Sequence, residues 1–443
     1  MSDRRQFLAR CAAAAGMPLM PAAFADAPPA RPEMQVLKRG HVGRYQGGVY
    51  LLPANDETVQ WGWFDNAEAP RARIRSGDTI VLETLMASMN QVLPGVGIDE
   101  ITRLRTAHPG RGPHSITGSV FVEGAMPGDT LRIRINRIVP RSYGANGNLP
   151  GALKLGQFPD VFDMPQVKYF YFDMRRGVTE FLPGIEIPVR PFPGIVGVAR
   201  AESGRYSTVP PGPFGGNLDI RELVEGTTLY LPVFVDGALL WSGDSHGAQG
   251  NGEINLTAIE TAFNELNLTM DVIKGRRLAW PRIETPTHWI TVGYDRDLDR
   301  AHDVLDEETV RFVADWQGID GASARRFMLT HGDVRVSEVV NQVKGLYCML
   351  PKRAHRRPGI RPIRETQRYL VSHAVQPTLM EAMNHAALAM IDHLVEGRGL
   401  ARLDAYALAS LAMDARVGRI ERGAAEIHCL TPKALWTPIP VKR

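Results

Sequence analysis

Thr228-Leu229-Tyr230-Leu231-Pro232-Val233-Phe234-Val235 is followed by Asp236-Gly237 and then by Ala238-Leu239-Leu240-Trp241. The first run alternates in the period of two that lets a strand bury one face, and the second resumes it. An Asp-Gly pair between two such runs predicts a hairpin closed by a tight primed turn. The same texture reaches upstream. From Trp61 to about Val139, runs such as Thr79-Ile80-Val81-Leu82-Glu83-Thr84-Leu85 and Leu131-Arg132-Ile133-Arg134-Ile135 are separated by Ser-Gly-Asp and Pro-Gly-Asp turns. They predict the strands of a sandwich or barrel, and 43 glycines with 32 prolines in 443 residues favour turns over long helices. Residues 26–48 read as extended. Residues 140–185 have little periodicity and are expected to form a long Gly/Pro loop of the kind that covers a site.

The last third changes character. Asp333-Val334-Arg335-Val336 recurs as Asp414-Ala415-Arg416-Val417, and Cys348-Met349-Leu350-Pro351-Lys352 recurs at the same offset as Cys429-Leu430-Thr431-Pro432-Lys433. Each copy opens with helical patterning, as in 378–395, and closes with two short strands. Two copies are too few for a solenoid. The fold class expected is therefore mainly β: a β-sandwich or barrel over 26–300, then a duplicated α+β module over 301–443 with copies at about 305–353 and 378–434. Cys348 and Cys429 fall at equivalent positions and read as buried thiols, too few for a disulfide framework. His385 and His393 read as helix-surface or packing residues.

Lys and Arg total 51 against 48 Asp and Glu, a formal net charge of +3. Such balance argues against a nucleic-acid partner, which requires a concentrated basic excess. Arg4-Arg5, an Ala-rich apolar run and Ala23-Phe24-Ala25 have the order of a twin-arginine leader with cleavage after Ala25, so residues 1–25 are expected to direct export to the periplasm. Arg10 before Cys11 is wrong for lipid attachment. No later run is long and apolar enough to span a bilayer, so no membrane association is expected once the leader is removed.

Chemistry-bearing residues concentrate between Ser207 and Glu260. Asp244 and His246 are two apart at a strand end, so in extended conformation both side chains leave on one face. Glycines at 247, 250 and 252 let the chain fold back and bring Glu253 to the same point, and Asp219 is within reach across the predicted hairpin. An imidazole with carboxylates fits a zinc site with room for water, and the spacing fits a hydrogen-bonded turn equally well. Gly243-Asp244-Ser245-His246-Gly247 also matches the G-x-S-x-G nucleophile elbow, which needs a helix directly after the serine. The Gly-Ala-Gln-Gly-Asn-Gly that follows is a poor helix start, so Ser245 reads as a turn residue.

Taken together, Pro193-Gly194-Ile195-Val196-Gly197, Ser207-Thr208-Val209-Pro210-Pro211-Gly212, Gly215-Gly216-Asn217-Leu218-Asp219, Gly243-Asp244-x-His246, Gln249-Gly250-x-Gly252-Glu253 and Ala258-Ile259-Glu260 resemble the acetamidase/formamidase family. Gly112-Pro113-His114, Val122-Glu123-Gly124-Ala125 and Ala405-Tyr406 extend the resemblance over nearly the whole chain after the leader. The resemblance implies hydrolysis of short linear carboxamides to carboxylate and ammonia on a β-sandwich, a bound divalent metal that is often zinc, and a homo-oligomer. Ca²⁺ and Mn²⁺ also suit oxygen-rich sites. Carried onto these positions, Asp219, Asp244 and His246 are expected to hold the metal and Glu253 to shuttle protons. His114 is expected as a further ligand or as donor to the carbonyl oxygen. Asn217 and Glu123 are expected to contact or orient substrate. The rival readings are a non-catalytic periplasmic binding protein on the same sandwich and a serine hydrolase using Ser245.

Overall fold

The computed structural model describes residues 43–45, 49–353 and 365–437; the expected leader lies outside them. The alternating runs become strands whose burial follows the sequence: Thr79–Leu82 buries Ile80 and Leu82, and Ala72–Arg75 buries Ala72 and Ile74 while its arginines face water. Among the described residues the strands form a 13-stranded sheet, an 11-stranded sheet and a two-stranded ribbon. The larger sheet is built around Thr130–Pro140, paired antiparallel with Phe263–Ile273 on one edge and with Thr228–Pro232 on the other. The smaller sheet is built around Leu240–His246. Ile80, Ile133, Leu229 and Leu268 of the first pack with Val120, Ile195, Leu240 and Trp241 of the second in one buried cluster. The result is a β-sandwich, with burial of these apolar faces as the main stabilising term.

Two expectations are corrected. The runs around Asp236-Gly237 are strands, but they do not form a hairpin: Thr228–Pro232 belongs to the larger sheet and Leu240–His246 to the smaller. Leu240–His246 has both edges occupied, by Phe192–Val198 on one side and by Ser115–Glu123 and Glu260–Thr261 on the other, so no edge remains for its sequence neighbour. The Asp-Gly turn carries the chain from one layer to the other, with Gly237, Ala238 and Leu239 all at positive φ. Residues 140–185 are likewise not a single loop. They supply Tyr143–Asn148, Gln166–Asp173 and Val178–Leu182, in which Phe170 and Phe172 are buried and Tyr171 faces solvent.

No break in the sheet marks residue 300. His288–Asp295 pairs with Lys344–Pro351, so the larger sheet continues into the terminal part. That part runs strand, helix, helix, strand, strand twice: His288–Asp295, Leu298–Gln317, Gly321–His331, Asp333–Val336 and Lys344–Pro351, then Tyr369–Gln376, Leu379–Arg398, Arg402–Ala412, Asp414–Glu421 and Ala424–Pro432. The long helices start where the sequence supplies caps. The Asp297 carboxylate accepts from Asp299 and Arg300 N–H, and Thr378 forms a capping box with Glu381. The inner strands of the two runs meet at Arg335 and Arg416, which face each other in register. Cys348 and Cys429 are buried and neither is in a disulfide. No described helix is long and apolar enough to cross a membrane.

Candidate functional site

The end of Leu240–His246 gathers four carboxylates around one imidazole. His246 Nε2 lies 3.4 Å from Asp244 Oδ2 and 3.4 Å from Glu260 Oε2, and its Nδ1 lies 3.9 Å from Asp219 Oδ1. Simple strand alternation is not what aims these groups. Asp219, Asp244 and Glu253 have φ of 47°, 50° and 51°, a left-handed conformation that costs about 1–2 kcal/mol for a residue with a Cβ. Such strain persists where the surroundings over-determine it, and its recurrence at three acids of one cluster marks the cluster as built for use.

Gly194, opposite on Phe192–Val198, makes room. A Cβ there would stand 2.5 Å from His246 Cε1, 2.7 Å from Asp244 Oδ2 and 2.9 Å from Asp219 Oδ1. Phe192 closes the side, edge-on to the His246 ring with centroids 4.9 Å apart.

Glu253 is delivered by the Gly-rich turn, but the turn is fixed by the terminal part of the chain. Gly250 N–H donates to Ser410 O (2.8 Å), Asn251 N–H to Met413 O (2.7 Å) and Gly252 N–H to Ser337 O (2.9 Å). From the same part, the Asn341 side-chain amide donates to Asp219 Oδ2 at 2.7 Å and to Glu253 Oε2 at 3.2 Å. Backbone N–H groups of Val340 and Asn341 in turn hold Glu338.

Burial drives Asp219 and Glu253 well above the usual carboxylate range, because each is also surrounded by other acids. Burial raises Glu260 too, with His246 pulling the other way. Asp244 is the exception: burial opposes ionisation, but His114 and His246 bring its carboxyl down to about 2. Burial likewise works against charging His246, but Glu260 and Asp244 overcome it and hold the imidazole well above its ordinary value. His114 goes the other way, pushed down by burial with Asp244 only partly restoring it. Its Nδ1 meets Thr208 Oγ1 at 3.0 Å, which fixes the ring, and its Nε2 points toward Asp244 Oδ2 at 3.9 Å.

The donor set fits a cation. Asp219, His246 and Glu253 offer three ligand atoms within 4.8 Å of one another, and Asp244, His246 and Glu260 offer a second such set. Both His246 nitrogens and Asp219 Oδ1 are buried without a hydrogen-bond partner among the described residues, which is costly unless something positive completes them. The grouping differs from the expected one: Asp219 and Asp244 fall in different sets, Glu253 stands with Asp219, and Glu260 joins Asp244.

The cluster opens on a cavity of about 150 Å³ whose wall includes His114, Asn217, Asp244, Glu253, Glu260 and Asn341. Asn217 donates to Val209 O at 3.1 Å, and its Oδ1 is without a partner among the described residues. Glu123, expected near substrate, is not brought here. It is exposed at the far end of Ser115–Glu123, 3.7 Å from Arg75 Nε. The β-strand keeps it remote from the site, since Ser115 and Glu123 terminate opposite ends of one nine-residue strand.

Ser245 is buried within its strand, its hydroxyl 2.7 Å from Thr84 Oγ1, and a turn rather than a helix follows it. The nucleophile elbow is therefore absent. Sequence reasoning assigned no role to Glu260 or Asn341. Glu260 sat in a quoted motif, and its pairing opposite His246 across the ladder places it. Asn341 lies in a bridge-and-bend segment with no local signal.

A β-sandwich whose buried acid–imidazole centre lines a cavity of small-molecule size defines a class of small-ligand site with the donors for a divalent cation. Within that class the chain belongs to the acetamidase/formamidase family, whose model matches residues 53–204 and 199–323. It is 28% identical over 220 residues to an acetamidase of Mycolicibacterium smegmatis, covering 37% of this chain and 54% of that one. It is 30% identical over 214 residues to a formamidase of Methylophilus methylotrophus, covering 36% and 52%. The chain thus spans about half the length of the curated relatives it matches. The solved structure of an acetamidase from Bacillus halodurans superposes with a TM-score of 0.62 at 31% identity, over 68% of this chain and 97% of that one.

Proposed function

We propose that the protein hydrolyses the C–N bond of short carboxamides, RCONH₂ + H₂O giving RCOO⁻ and NH₄⁺, at the centre around His246. The observation that carries this reading is the pair of donor sets sharing His246 at the wall of a small cavity, in a chain of this family. Asp244, His246 and Glu260, one of the two sets, would hold a divalent cation, zinc by preference for the imidazole, and Glu253, on the other side of the ring with Asp219, is left to move protons. When bound, the cation supplies Lewis-acid polarisation and lowers the pKa of water.

The remaining work falls to side chains. Glu253 has its proton affinity raised by burial, which suits a group that takes a proton from the attacking water and passes it to the departing nitrogen. Asn341 holds that carboxylate in place through its N–H. His114, its protonation disfavoured by burial and its ring fixed by the contact of Nδ1 with Thr208, would present Nε2–H as a donor to the carbonyl oxygen in the Nε2-protonated tautomer. The Asn217 amide oxygen, left without a partner, is placed to accept from the carboxamide NH₂.

Ammonia release from formamide, acetamide, larger amides and lactams, before and after chelation and metal re-addition, tests the reading. Turnover of a small amide that falls on chelation and returns with metal supports it. Ligand binding without ammonia release overturns it in favour of a binding protein. We further propose export through the twin-arginine-like segment at 1–25 and a homo-oligomeric state, to be checked by N-terminal sequencing of a periplasmic fraction and by light scattering.

A further inference from the structure

One charged group in the cavity wall has no part in hydrolysis. Arg105 stands in the helix Ile98–Ala107, one turn after buried Ile101, so it shares the inward face, and it lines the cavity together with His114, Asp244 and Glu253. Two residues earlier on the same helix Arg103 is exposed and pairs with Glu100. Arg105 differs: among the described residues it has neither an ion pair nor a hydrogen bond, and its neighbours in the wall include Val92, Ile101, Leu149 and Val167. Burial alone pushes its guanidinium down to about 10, with none of the four site carboxylates near enough to raise it again. Its charge reaches His114, whose protonation it disfavours.

A half-buried guanidinium in a largely apolar wall, with no protein partner among the described residues, is costly, and an aliphatic amide would be received better by a fully apolar wall. The arrangement is explained if the guest brings the missing charge. We propose that the substrate is a short carboxamide that also carries a carboxylate, which Arg105 grips at the end remote from the scissile bond. This rests on the hydrolytic reading for the carboxamide end only.

The guanidinium fork matches a carboxylate bidentately. A cavity of about 150 Å³, of the size that accepts benzene, admits a spacer of about two carbons between the two groups. The acidic centre repels an anion, so Arg105 also sets orientation, turning the carboxamide and not the carboxylate toward His246.

Calorimetric titration of the metal-loaded full chain with levulinate and with its neutral isostere 2,5-hexanedione, neither of which has a C–N bond to cleave, tests the assignment. The wild type is expected to bind levulinate at least tenfold more tightly, the ratio falling to about one in Arg105→Gln and standing between the two in Arg105→Lys. A wild-type ratio near one overturns the proposal whether or not the variants fold. So does a preference that survives Arg105→Gln, since the carboxylate is then held by the metal centre. Ammonia release is scored separately: its absence for every amide removes the hydrolytic reading and leaves the anion preference to stand or fall on the titration.

Discussion

Asn341 donates its side-chain amide to Asp219 Oδ2 at 2.7 Å, and the same nitrogen reaches Glu253 Oε2 at 3.2 Å. A neutral donor thus sits between two acids that burial has already pushed toward protonation, and it lets both stay in one small volume. Asn341→Ala removes it. Leaving buried carboxylate oxygens unpaired costs about 1–3 kcal/mol, so kcat/KM on a small amide is expected to fall roughly tenfold to a hundredfold. Asn341→Asp, which adds a like charge at the same place, is expected to fall further. Equal activity in all three proteins, measured by ammonia release, would remove Asn341 from the site.

Gly194→Ala places a methyl 2.5 Å from the His246 ring and 2.7 Å from Asp244 Oδ2, and neither neighbour is a loose surface side chain. Overpacking of this kind costs about 1–3 kcal/mol of stability. The variant is expected to retain its circular-dichroism spectrum, melt earlier and lose most of its activity. Full activity would mean that His246 and Asp244 move without consequence.

Ser245→Ala removes a hydroxyl that touches only Thr84 among side chains. Amide hydrolysis should survive, with a stability loss of about 1 kcal/mol from the broken hydrogen bond. Abolished activity in a folded variant would revive the serine-hydrolase reading.

Metal removal should lower stability as well as activity, because four closely grouped carboxyl groups are left without a cation. A ligand that binds only the folded chain stabilises it by about 2.7 kcal/mol at a hundred times its dissociation constant. The melting midpoint is therefore expected to drop after chelation and recover with added zinc. An unchanged midpoint would count against a resident cation.

Glu338 supplies a pH test. Burial pushes its carboxyl up to about 8 from an ordinary 4.5, although the Asn341 and Val340 N–H groups pull it back. A folded-state value above the unfolded one means that the group's stabilising contribution is complete below about 4.5 and is lost as pH rises through 8. Glu338→Gln lacks this titration. Relative to wild type it should gain melting temperature steadily between pH 5 and 9, and a constant difference across that range would show that Glu338 ionises freely.

The amino-acid pattern alone determined that Thr79–Leu82, Thr228–Pro232 and Leu240–His246 are strands, because side-chain period acts over a few residues; it also marked Asp219, Asp244, His246 and Glu253 as candidates, although neither a hairpin nor strand alternation is what brings them together. Tertiary structure decided which strands pair. Leu240–His246 had both edges taken by distant strands, so the Asp-Gly turn became a crossing between layers. It likewise placed Glu123 outside the site, and brought in Glu260 through the ladder, Arg105 from a helix face and Asn341 from beyond residue 323. Those three arrivals depend on contacts between segments far apart in sequence, and no local periodicity encodes which buried group will meet which.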